Sequence, residues 1–74
     1  MSENKWAHRH QATQQIMRWF EYDHLPEKLA LVSKWNYILA SQMVIDLPDG
    51  PELTAGLRKL LEAKDCFVRA AIGD

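Results

Sequence analysis

From Pro51 to Ile72 the chain runs without an internal proline, PELTAGLRKLLEAKDCFVRAAI, and it carries apolar side chains along two neighbouring lines. Leu53, Gly56, Leu60, Ala63, Phe67 and Ala70 follow alternating three- and four-residue steps, a heptad seam in which large residues alternate with small ones. Small residues at every second position let another helix approach closely. Beside that seam lie Leu57, Leu61, Val68 and Ile72. One partner helix covers one line, so two lines ask for more than one partner. The run is sharply bounded. Leu47-Pro48-Asp49-Gly50-Pro51 breaks the chain before it, Pro51 suits a first helical position, and Gly73 suits the end.

The preceding segment has the same character. Pro26 disfavours helix at Leu25 and then fits the first position of a helix over 26–46, with Glu27 favourable for the dipole. Leu29, Val32, Leu39 and Met43 form one apolar line on it, and Leu31, Trp35, Ile38 and Ile45 another. That is more apolar circumference than a single antiparallel neighbour covers. The short link makes 26–46 and 51–72 an αα-hairpin. Before it, residues 8–20 read as a short helix with Ile16, Met17, Trp19 and Phe20 clustered at its end, too short to stand alone. Residues 1–6 read as a loose lead. The expected fold is therefore all-α: a short N-terminal helix, then a long antiparallel helical hairpin, assembled as a homo-oligomer.

A single domain of 74 residues has little margin without a disulfide, a metal or oligomerisation. The one cysteine, Cys66, excludes an internal disulfide, and its apolar neighbours predict a small buried hydrophobe. A net charge of −1 argues against a nucleic-acid coat but leaves room for a pocket holding one small anion. MSENKWAHRH lacks an apolar core, and Ser33, Lys34, Asn36, Gln42 and Asp46 interrupt the longest apolar-rich run, so neither a signal peptide nor a membrane span is expected. Those features predict a cytoplasmic protein.

No convergent catalytic set is visible: no nucleophile with its base, no glycine-rich phosphate loop. His8 and His10 lack a third ligand fixed in place, so no metal site and no cofactor are expected. Binding is better supported. The connection Trp19-Phe20-Glu21-Tyr22 puts aromatic rings where polar residues are usual, and a ring at a cleft stacks on nucleobases. Basic side chains such as Arg18, Lys34, Arg58 or Lys59 are candidates for holding phosphates. The plainer alternative is that Trp19, Phe20 and Tyr22 plug the end of the hairpin. Arg58, Glu62, Asp65 and Arg69 share one edge of the last helix, either as a solvated stripe or as an oligomer interface that takes an anion.

These residues carry a family resemblance. An F-x-Y connection (Phe20-Glu21-Tyr22) leads through Pro26 to a long helix, followed by a proline-containing break, PELTAGLRKLLEA over 51–63, and Ala70-Ala71-Ile72. In this, Phe20–Ile72 resembles the small phage anti-defence proteins that sequester signalling nucleotides of cyclic-oligonucleotide and Thoeris immunity. The resemblance implies a helical-hairpin protomer assembled with itself, a hexamer in well-studied relatives, with ligands held between copies and not cleaved. The ligands it implies are cyclic dinucleotides, cyclic trinucleotides or cyclised ADP-ribose isomers. The family's stacking tyrosine matches Tyr22. Its phosphate-contacting residue early in the second helix falls nearest Lys34, with Ser33 in the adjacent register. Its basic residues on the third helix match Arg58 or Lys59, and Arg69 is a further candidate. The chain departs from the pattern at Asp23-His24 and at Cys66-Phe67-Val68-Arg69.

The leading expectation is thus a non-enzymatic nucleotide sponge with ligand-binding residues Tyr22, Lys34, Arg58, Lys59 and Arg69, acting in the host cytoplasm. The alternative is a helical module that docks on a host or phage protein without any nucleotide. A helix-turn-helix DNA binder fails on charge and lacks a basic recognition helix.

Overall fold

The computed structural model describes residues 5–73, and the regular structure within them is all helix: α1 (Gln11–Arg18), α2 (Glu27–Asp46) and α3 (Pro51–Ile72). Pro51 occupies the first turn of α3, and Gly73 ends it in the left-handed region at φ +94°, its N–H shared between the carbonyls of Arg69 and Ala70 at 3.1 Å each. A side chain is strained in that conformation, which is why glycine closes the helix. Pro26 caps α2 from outside its first turn, one position earlier than the sequence suggests. Of the lead expected to be loose over 1–6, residues 1–4 lie outside the described part, while Trp6 packs against the core.

The core gathers Ile16, Met17 and Phe20 from the α1 end, Ala40 and Val44 from α2, and Leu53 and Leu57 from α3, ringed by Trp6, Tyr37, Met43, Leu60 and Leu61. It sits at the end of the molecule where α2 turns into α3. Along α3 burial follows Leu53 and Leu57, one helical turn apart, and not the heptad seam. Gly56, at the second place of that seam, is exposed, and a Cβ there would meet nothing within 4 Å. Its smallness makes no room for α2. Past Asp65 the helix extends beyond the core, leaving Phe67 and Ile72 more than half exposed. Cys66 is exposed for the same reason, contrary to its apolar context, and accepts a 3.3 Å bond from Arg69 Nη2.

α1 begins at Gln11 and not at residue 8, because the chain before it is committed elsewhere. Asp49, in the link between α2 and α3, accepts from Arg9 Nε (3.2 Å), from the His10 backbone N–H (3.0 Å) and from Thr13 Oγ1 (2.7 Å). Arg9 Nη2 also lies 3.1 Å from the other carboxylate oxygen and donates to the Leu47 carbonyl at 2.8 Å. Its Nη1 donates to the Val44 carbonyl. The last carbonyls of a helix have no partner of their own, and α2 has no basic residue in its last turn, so Arg9 supplies both donors and positive charge from a distant segment. These bonds hold the Asp49 carboxyl well below the usual carboxylate range, from 3.8 to about 2, chiefly through the Arg9 and Thr13 side chains. His10 Nδ1 in turn accepts from the Ala12 N–H and caps α1, which requires that nitrogen to carry no proton.

α2 buries its small side. Ser33, Asn36, Ala40 and Val44 are buried, whereas Leu31, Trp35, Ile38, Leu39 and Ile45 are between 46% and 65% exposed. At about 100° per residue the two sets fall on opposite sides of the helix. Asn36 satisfies its amide within the helix, donating to the Val32 carbonyl at 3.1 Å. Ser33 Oγ and Ser41 Oγ are buried with no partner.

Candidate functional site

The Arg9–Asp49 clip fixes the chain just before α1. The preceding Lys5 and Trp6 lie against the later part of α1 and the connection that follows it. There they join Met17, Arg18, Glu21, Tyr22, Asp23 and Tyr37 around a cleft of about 330 Å³. The dipeptide Trp19-Phe20 divides at this point. Phe20 turns inward and is fully buried, while Trp19 is 69% exposed, so Phe20 alone plugs the core. Two residues further on, Tyr22 is half-buried, with its ring edge-on to Tyr37 at 5.5 Å between centroids and 60° between planes. Lys5 Nζ stands over Tyr37, 5.9 Å from the ring centre, at cation–π range.

Of the five residues expected to bind ligand, Tyr22 lines this cleft and the other four do not. Lys34 lies exposed on α2; Arg58, Lys59 and Arg69 lie exposed on α3. Ser33, adjacent to Lys34, is fully buried and out of reach of any ligand approaching from solvent. On the α3 edge, Asp65 pairs with Lys64 at 3.0 Å and Arg69 is bonded to Cys66. The cleft has its own ionisable residues, Lys5 and Arg18 against Glu21 and Asp23, with His24 at the rim. The two cations and two carboxylates cancel formally. Among the described residues the cleft offers aromatic surface and hydrogen-bonding groups but no excess positive charge.

Lys5 and Tyr37 were not legible as cleft residues. Tyr37 sits mid-helix among apolar residues, and only the packing of α1 against α2 brings Tyr22 to it. A second hollow of about 350 Å³, lined by His10, Ala12, Thr13, Asp49, Gly50, Pro51 and Thr54, lies beside the clip. Its one carboxylate already accepts from Arg9, His10 and Thr13, so it presents no unused charge. Among the described residues no group of three or more His, Cys, Asp or Glu side chains converges as a metal cage would, and no helix is long and apolar enough to cross a membrane. No family model, curated protein or solved structure matches the chain.

Proposed function

We propose that this protein is a phage immune-evasion protein that binds a cyclic nucleotide or cyclic ADP-ribose-type messenger and holds it without cleaving it. The observation that carries the reading is the Tyr22–Tyr37 ring pair in the wall of the cleft, a stacking surface rimmed by Lys5, Arg18 and His24. Stacking on an aromatic ring contributes about 1–3 kcal/mol per base and tolerates any base. The phosphates need positive charge that one chain does not bring to that place. Lys34, Arg58, Lys59 and Arg69 supply it in this reading from a neighbouring copy, each copy being a helical hairpin, so the binding site is complete only in the assembly. Between subunits such charge-assisted bonds are shielded from water and stronger than on an open surface.

Titration calorimetry with cyclic dinucleotides, cyclic trinucleotides and cyclic ADP-ribose isomers tests this reading. At least one should bind, and chromatography of the bound material should return it chemically unchanged. Tyr22→Ala should weaken that binding about 5- to 150-fold, the equivalent of one lost stack, while Tyr22→Phe keeps the ring and should keep most of the affinity. A folded protein that binds none of the panel contradicts the proposal. The exposed apolar side of α2 favours a second reading, a helical module seated on a different protein; heterologous capture with no self-association would support it.

A further inference from the structure

The open side of α2 has a regular spacing that the core does not use. Leu31, Trp35, Ile38, Gln42 and Ile45 follow steps of four, three, four and three, and at about 100° per residue they fall within an arc of about 80°. This is a coiled-coil seam with a single polar position, Gln42, whose amide is turned to Asp46 Oδ1 at 2.9 Å. It points directly away from Ser33, Asn36, Ala40 and Val44, the buried side. The helix thus gives its small side to its own chain and its large side to water.

We infer that a second copy of this chain covers the seam, with the two α2 helices packed antiparallel. The area is of the required order. Weighted by exposure, the apolar seam residues Leu31, Trp35, Ile38 and Ile45 present roughly 500 Å² per copy, taking about 200 Å² for a whole Leu or Ile and about 250 Å² for Trp. A patch of that size lies in the upper part of what monomeric proteins expose, and two such patches reach the roughly 1,000 Å² that a biological interface has to clear. The direction follows from charge. At the N-terminal end of the seam Lys28 and Lys34 outweigh Glu27 by one positive charge, and Asp46 makes the C-terminal end negative. Parallel packing sets like ends together. Antiparallel packing sets each positive end against a negative one and opposes the helix dipoles as well. The pairing does not depend on any nucleotide, so it stands or falls separately from the proposed ligand.

Sedimentation equilibrium of the full chain, without ligand, reads the association, and Trp35→Glu together with Ile38→Glu places charge in the middle of the seam. The expected result is an assembly that dissociates at least a hundredfold more readily in the double variant, with helical content retained by circular dichroism because both positions are exposed. Phe67→Glu, at an exposed place of the seam along α3, serves as the comparison and should leave the association unchanged. A spin label at Ala30→Cys in a Cys66→Ser background reads direction and leaves Lys28 and Lys34 in place. With copies centred on Ile38, antiparallel packing puts the two labels about 24 Å apart along the axis, against about 10 Å for parallel packing. A wild-type monomer, an assembly indifferent to the double variant, or a spin–spin distance of about 10 Å would overturn the inference.

Discussion

Trp19 and Phe20 are neighbours of similar size, and the register of α1 gives them opposite fates. Phe20 is fully buried in the core formed with Met17, Val44 and Leu57, whereas Trp19 is 69% exposed. Truncating a buried phenylalanine to alanine removes its transfer free energy and leaves a cavity, together about 3–5 kcal/mol. Stabilities of about 0.05–0.15 kcal/mol per residue give a chain of this length only about 4–11 kcal/mol. Phe20→Ala should therefore remove at least about a quarter of the stability, and nearly all of it at the low end of that range. Trp19→Ala, at an exposed site of the single chain, should change it by about 0.5 kcal/mol or less. Urea titrations followed at 222 nm, at concentrations low enough to separate copies, give both values from the midpoints. Equal losses at the two positions, or a larger loss at Trp19, would show that the register of α1 is wrong, and with it the placement of Tyr22 in the cleft.

Three further outcomes follow from the same geometry. Because the Asp49 carboxyl is held near 2 in the folded chain, below its ordinary 3.8, its contribution is fully present above about pH 4 and disappears as pH falls through about 2. Urea midpoints of the wild type and Asp49→Asn should differ at neutral pH and converge near pH 2, and a constant difference across that window would contradict the clip. Gly56→Ala fills open space on a helix and should stabilise a single chain by about 0.4–1 kcal/mol in thermal unfolding, whereas destabilisation would mean that another helix does pack there. Ser33→Ala removes a buried hydroxyl that has no partner and should be neutral or stabilising in the same assay, so a loss above about 1 kcal/mol would reveal a bond that Ser33 makes.

The helix limits were legible where proline and glycine punctuate the chain: Pro51 and Gly73 fix α3 within its observed bounds, and Pro26 fixes the entry to α2. The start of α1 was not, because the group that ends it lies 39 residues away from His10, at Asp49. No local pattern joins Arg9 to Asp49. The excess of apolar circumference on α2 was visible, but not which side the chain would bury. Polarity alone favours the large residues, whereas close helix packing favours the small ones at Ser33, Ala40 and Val44. Cys66 misled for a related reason, since apolar neighbours mark a buried site only where another helix reaches that far. In the cleft, the F-x-Y pattern singled out Tyr22. Its companions Tyr37 and Lys5 come from other parts of the chain, and nothing in their local sequence announces the meeting.

What joins these features is that one copy leaves the most apolar side of α2 in water and that its described residues give the cleft no excess positive charge. The most direct test is the mass of the purified protein by light scattering coupled to size exclusion, at micromolar concentration and without added nucleotide. The account predicts a particle of at least twice the 8.6 kDa of the chain. A stable, folded particle of single-chain mass would contradict it.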